Sequence, residues 1–141
     1  MFIEMTNRWD DPLLRDLLQY SIYSDAENVE DTIAAYMAGN GRSLYGYEEE
    51  GELIGIVGFA MNGTGELKIE HLAVEPDFRG LGYGRGLVLE ALDKKKPALL
   101  TAETDEDAVN FYRSIGFEIE SLGELCPGVE RFKCIYTVDS E

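Results

Sequence analysis

The sequence predicts an α+β fold, a mixed and mostly antiparallel central sheet of about 6–7 strands flanked by about four α-helices. Three observations carry this. Apolar residues recur at helical spacing in two early stretches, and from Ser43 the period changes to that of strands separated by glycine-containing turns. A glycine-opened helix followed by a short apolar run then implies one parallel crossover.

The elements follow in order. Residues 2–5 read as a short strand, and Asp10-Asp11-Pro12 as a helix start with an acidic cap and proline at the first helical position. Leu13, Leu14, Leu17, Leu18 and Ile22 form its apolar stripe, and a second helix begins at Asn28 with Val29, Ile33, Tyr36 and Met37 on one side and Gly39 as its stop. Strands are expected over 44–47, 53–61 and 67–74, joined by turns at Glu50-Gly51 and at Asn62-Gly63-Thr64-Gly65. A helix over 80–93, a buried strand over 98–102, a helix over 105–114 closed by Gly116, and strands over 117–122 and 132–138 complete the chain. No repeat, linker or low-complexity stretch interrupts it, so residues 1–141 read as one domain.

Charge narrows the function. Acidic residues outnumber basic ones 28 to 12, a net charge of −16 that argues against a nucleic-acid partner. The distribution is uneven. Up to Asp31 there are eight acids (Glu4, Asp10, Asp11, Asp16, Asp25, Glu27, Glu30, Asp31) against Arg8 and Arg15. Between Arg79 and Lys96, by contrast, five bases (Arg79, Arg85, Lys94, Lys95, Lys96) face only Glu90 and Asp93. An acidic body with one basic window suggests an anion site on a protein that attracts cations elsewhere. No apolar run approaches the roughly 18 residues of a membrane span. The first residues lack the basic-then-apolar pattern of a secretory signal, and a cytoplasmic location is expected. Cys126 and Cys134 fit no zinc or redox spacing and read as unpaired thiols, and one histidine without a ligand cluster leaves no metal site.

The chemistry concentrates in Val74-Glu75-Pro76-Asp77-Phe78-Arg79-Gly80-Leu81-Gly82-Tyr83-Gly84-Arg85, where a strand passes into a helix. Glycines let the backbone approach a phosphate, the first-turn N–H groups point outward, and Arg79 and Arg85 add charge-assisted donors. A P-loop is excluded because Gly84 is followed by Arg85-Gly86 instead of lysine and a hydroxyl residue. A dinucleotide fingerprint is excluded because its third glycine would fall on Arg85 or Leu87.

Arg79-Gly80-Leu81-Gly82-Tyr83-Gly84 resembles the (Gln/Arg)-x-x-Gly-x-(Gly/Ala) motif of the GNAT acetyltransferases, and it follows a Leu72-Ala73-Val74 strand end typical of them. Ala108-Val109-Asn110-Phe111-Tyr112-Arg113-Ser114-Ile115-Gly116-Phe117 resembles their second signature, an Asn and a Tyr on a helix before a Gly-Phe turn. The resemblance is firm over about residues 66–117. It implies acetyl-coenzyme A as cosubstrate, its pantetheine arm pairing with backbone groups of the Leu72-Ala73-Val74 strand end at Leu72 and Val74. Gly80, Gly82, Gly84 and Arg85 would hold the pyrophosphate, with Arg79 supporting the loop. Asn110 would bind the arm and Tyr112 would lie near the sulfur. The resemblance would also let Lys94, Lys95 and Lys96 meet the ribose phosphate, although a lysine run at a helix end also simply complements the dipole.

Acetyl transfer to an amine needs a proton acceptor and a donor to the departing thiolate. Tyr112 is the expected donor, since a phenol ordinarily titrates near 10; the alternative is an aromatic packed beneath the last strands. Glu70 is the expected base. On an alternating strand Lys68, Glu70, Leu72 and Val74 share one face, and His71 lies on the other with Ile69 and Ala73. His71 and a water chain are the alternatives to Glu70. The resulting expectation is an N-acetyltransferase whose acceptor is an amine, a small cationic molecule before a protein, drawn to the acidic N-terminal helices. A homodimer is compatible with the resemblance. The competing readings are a noncatalytic domain that binds coenzyme A as a sensor or scaffold, and an interaction module whose glycine turn is structural.

Overall fold

The computed structural model describes residues 1–5, 7–22 and 28–138, the side chains of Leu125 and Cys126 excepted. Its strands are β1 (Phe2–Glu4), β2 (Arg42–Glu49), β3 (Glu52–Met61), β4 (Glu66–Val74), β5 (Leu99–Asp105), β6 (Glu118–Cys126) and β7 (Val129–Thr137). The helices are α1 (Pro12–Ser21), α2 (Val29–Ala38), α3 (Tyr83–Lys95) and α4 (Val109–Ile115). The strands hydrogen-bond in the order β1-β2-β3-β4-β5-β7-β6, and β4 with β5 is a parallel pair in a mostly antiparallel sheet. This is the predicted α+β architecture, with four α-helices among the described residues.

The chain divides into two compact units, Met1–Ala60 with His71–Lys96, and Met61–Glu70 with Pro97–Glu141. In the first, the helix starts follow local chemistry. The Asp11 side chain accepts from the Leu13 N–H at 2.9 Å with Pro12 opening α1, and Asn28 caps α2 through the Asp31 N–H at 2.8 Å. The core of this unit is built from Met5, Leu14, Leu17, Leu18, Ile33, Tyr36, Leu44, Leu53, Ile56 and Ala73. Two stripe residues are exposed instead. Leu13 and Met37 are 41% and 65% exposed, because a helix lying on a sheet buries an arc narrower than its apolar pattern. The β2–β3 turn sits at Glu50-Gly51, both at positive φ of 51° and 81°, as a tight hairpin requires.

The second unit contains the parallel ladder from Glu66↔Leu99 to Ile69↔Ala102 and the antiparallel partners β7 and β6. Its buried residues include Leu67, Ile69, Leu100, Ala102, Val109, Tyr112, Phe117 and Cys134. Asn62 organises the turn into β4: its side-chain oxygen accepts from the N–H groups of Thr64 and Glu66 at 2.9 and 3.0 Å. The Cys134 thiol is free and buried, and burial pushes its pKa up. The Cys126 thiol lies outside the described residues.

Two expected helix starts move. The helix expected from Gly80 begins at Tyr83, because Gly80 and Gly82 have φ of 78° and 91° and cannot belong to a right-handed helix. The helix expected from Asp105 begins at Val109. Asp105 ends β5, and its carboxylate accepts from the N–H groups of Asp107 and Ala108, so it caps a turn ahead of the helix.

Candidate active site

The first unit holds the glycine turn. β4 ends at Val74, one turn of 3-10 helix spans Pro76–Phe78, and Arg79 to Gly82 lead into α3. Arg79 folds back on the strand that precedes it: its Nε donates to the Val74 carbonyl at 2.9 Å, and its guanidinium lies 5.3 Å over the Tyr20 ring. The first intrahelical bond of α3 runs from the Gly86 N–H to the Gly82 carbonyl at 3.0 Å. The N–H groups of Tyr83, Gly84 and Arg85 therefore lie in the first turn, where a helix offers them no internal acceptor, and Gly82 has no side chain to cap them. A Cβ built at Gly80 or Gly82 meets no atom within 4 Å, so a large anion can approach the backbone there. The Arg85 side chain is exposed beside it. These first-turn N–H groups lie at the positive end of the α3 dipole.

Lys94, Lys95 and Lys96 lie elsewhere. They occupy the last turn and C-cap of α3, about 20 Å from the glycine turn by helical rise. At that end their charges complement the dipole, and Lys94 sits 5.9 Å over the Tyr45 ring.

Along β4 the expected alternation holds: Leu67, Ile69, His71 and Ala73 are buried, whereas Lys68 is exposed and Glu70, Leu72 and Val74 are partly exposed. His71 is 7% exposed, and its Nδ1 shares a 2.6 Å hydrogen bond with the Tyr36 hydroxyl of α2. The imidazole tautomer sets which of them donates. That partnership gives His71 a packing role in the first unit. Glu70 belongs to the second unit, on the partly exposed face of β4; next to it on that face Lys68 forms a 3.1 Å ion pair with Glu103 of β5.

The second unit also holds α4. Tyr112 is 6% exposed and packs edge-on against Phe111 and Phe117, with ring centroids 5.1 and 5.3 Å away. Asn110 is exposed, and its side-chain oxygen accepts from Arg113 one turn on. Gly116, at φ 115°, closes the helix, and the Phe117 N–H reaches back to the Tyr112 carbonyl at 3.2 Å. The structure thus gathers Leu72, Ala73, Val74, Arg79, Gly80, Gly82, Gly84 and Arg85 in the first unit, and Glu70, Asn110 and Tyr112 in the second.

One group at the glycine turn escaped the sequence reading. Glu49, the last residue of β2, accepts from the hydroxyls of Tyr47 at 2.9 Å and Tyr83 at 3.1 Å. Only the two-residue spacing of Tyr47 and Glu49, which puts both on one face of a strand, hinted at it; the partner 34 positions away left no local signal. Among the described residues no cluster of metal-ligating side chains occurs, and no helix is long and apolar enough to cross a membrane.

Strand β4, the glycine turn, helix α3 and strand β5, parallel to β4, follow one another along the chain. Residues 5–117 match the model of the acetyltransferase (GNAT) family, and the chain belongs to that family. Among curated relatives, it is 41% identical over 59 residues to the peptidyl-lysine N-acetyltransferase YjaB of Escherichia coli, a match covering 40% of each chain. The chain thus spans only about half, or less, of the length of the curated relatives it matches. Solved structures extend the likeness of fold over the whole chain. The ribosomal-protein-S18-alanine N-acetyltransferase of Escherichia coli superposes with a TM-score of 0.78 at 18% identity, covering 100% of this chain and 96% of that one. A GNAT acetyltransferase of Elizabethkingia anophelis, solved with acetyl-coenzyme A bound, gives 0.73 at 19% identity, covering 98% and 97%.

Proposed function

We propose that this protein is an N-acetyltransferase that moves an acetyl group from acetyl-coenzyme A directly to a primary amine. The observation that carries the reading is the glycine turn: left-handed Gly80 and Gly82 open the start of α3 to an anion in a chain of this family. In this reading the pyrophosphate lies on the N–H groups of the first turn of α3, with Gly80, Gly82 and Gly84 allowing close approach and Arg85 adding charge. Arg79 keeps the loop attached to β4. Backbone groups of Leu72 and Val74 pair with the pantetheine arm as a neighbouring strand would, and Asn110 is a further side chain assigned to bind it. The thioester supplies an activated acetyl group.

The protein's own residues then move protons. Glu70, partly exposed on β4, accepts the proton that the amine sheds as its nitrogen bonds to the carbonyl carbon. The Tyr112 hydroxyl donates to the sulfur as the carbon–sulfur bond breaks, leaving free coenzyme A and the amide. His71, engaged with Tyr36, is left to packing.

The acceptor we propose is small and cationic, attracted by the acids of the N-terminal helices. Part of that charge is already partnered: Glu30 pairs with Arg15, and Asp31 accepts from Asn28 at 3.1 Å. Glu27 lies outside the described residues. The relative named for peptidyl-lysine keeps a protein amine as the second candidate. Calorimetric titration with acetyl-coenzyme A, followed by thiol release against a panel of amines, tests the reading. Micromolar binding with amine-dependent release is expected. Binding without release across the panel would favour a sensor of coenzyme A, and no binding would overturn the assignment of the turn.

A further inference from the structure

The glycine turn carries a support that the anion-binding reading does not explain. Glu49 is acidic, exposed, and placed where its charge would repel a phosphate. Its geometry points to a mechanical role. The two carboxylate oxygens are divided between two phenols, Oε1 with Tyr47 on its own strand and Oε2 with Tyr83. Tyr83 is the first residue of α3, immediately after Gly82. The Tyr83 ring is braced further by Tyr47, with centroids 5.6 Å apart, and by Phe78 of the preceding 3-10 turn, edge-on at 6.0 Å.

At its other end the turn is tied by Arg79 to the Val74 carbonyl. Between these anchors stand Gly80 and Gly82, which bring no side-chain contacts and the greatest backbone freedom. A turn of that composition would lose much entropy on gripping an anion unless its ends were already held.

We propose that Glu49 is a positioning residue for the glycine turn: by holding the Tyr47 and Tyr83 hydroxyls together it fixes the start of α3, and with it the N–H groups of Tyr83, Gly84 and Arg85. The proposal rests on the reading that this turn receives the pyrophosphate of acetyl-coenzyme A. Both phenols remain donors because the Glu49 hydrogen bond raises their pKa values. Removing the carboxylate releases the Tyr83 hydroxyl still protonated, since an ordinary phenol titrates near 10.

The sign of the effect separates this role from simple charge. If Glu49 were only a negative charge near an anion, Glu49→Gln and Glu49→Ala would tighten acetyl-coenzyme A binding. As a positioning residue, its loss weakens binding. The test measures the Kd for acetyl-coenzyme A by calorimetry in the wild type, Glu49→Gln, Glu49→Ala, Tyr83→Phe and the Glu49→Ala/Tyr83→Phe double variant, with amide hydrogen exchange over residues 80–86. A rise in Kd of about five- to tenfold is expected for Glu49→Ala and Tyr83→Phe, with faster exchange in the turn and unchanged exchange in β5 and β7. The double variant should be no weaker than either single one, because both break the same link. Tighter or unchanged binding in the Glu49 variants, or additive losses in the double variant, would overturn the proposal. Failure of the wild type to bind acetyl-coenzyme A would bring down the underlying reading with it, and is distinguished by needing no variant.

Discussion

Two glycines four residues apart should respond to the same substitution with opposite signs. Gly82 caps α3 at φ 91°, whereas Gly86 lies inside the helix, and a Cβ at either position meets no atom within 4 Å. Steric contact is thus removed from the comparison, and only backbone conformation remains. At Gly82 alanine enters the left-handed region at a cost of about 1–2 kcal/mol, partly offset by about 0.4–1 kcal/mol of lost freedom in the unfolded chain. Alanine also caps a helix less well than glycine, so a net loss near ~1 kcal/mol is expected. At Gly86 alanine is the better helix former by about 0.8–1.0 kcal/mol and should stabilise by a similar amount. A chain of 141 residues unfolds with an entropy of about 0.3 kcal/mol/K, so Gly82→Ala should lower the Tm by about 3 °C and Gly86→Ala should raise it by about as much. Differential scanning calorimetry on the two variants is the assay. If both shifts have the same sign, the left-handed conformation of Gly82 does not control the turn.

Three other predictions follow from the site and its surroundings. Tyr112→Phe should slow turnover by at least about tenfold while leaving the Kd for acetyl-coenzyme A unchanged, and a fully active variant would remove Tyr112 as the acid. Glu70→Gln should reduce kcat by about 10²-fold and abolish the rising limb of the pH–rate profile, a limb that must survive if His71 or water is the base. Neutralising Glu27, Glu30 and Asp31 together should raise the KM for a cationic amine, and an unchanged KM in steady-state assays would exclude these helices from acceptor selection. A fourth concerns stability. Arg8 hydrogen-bonds Asp11 and holds its carboxyl below the usual Asp value of 3.8. The stability this contributes is complete above that pH and is lost as pH falls through the depressed value. Denaturant melts of Asp11→Asn should therefore show a flatter decline below about pH 4 than the wild type.

What the sequence by itself determined was local. The Asp11-Pro12 and Asn28 caps, the Glu50-Gly51 and Asn62 turns and the alternation along β4 each depend on residues within a few positions of one another, and all appear where local chemistry places them. The two family signatures were legible for the same reason, as short runs of residues around residues 79–84 and 108–117. Tertiary structure decided what depends on distant partners. Leu13 and Met37 lie outside the core because the sheet covers only part of each helix, and His71 is drawn into a hydrogen bond with Tyr36, 35 positions away. Asp105, which resembled a helix start, was claimed as the last residue of β5 by pairing with β7. Glu49 gained its place at the glycine turn in the same way, through a hydroxyl that only folding brings near. Local propensity acts over a turn of chain, whereas burial and partnership are set by whichever strand or helix arrives alongside.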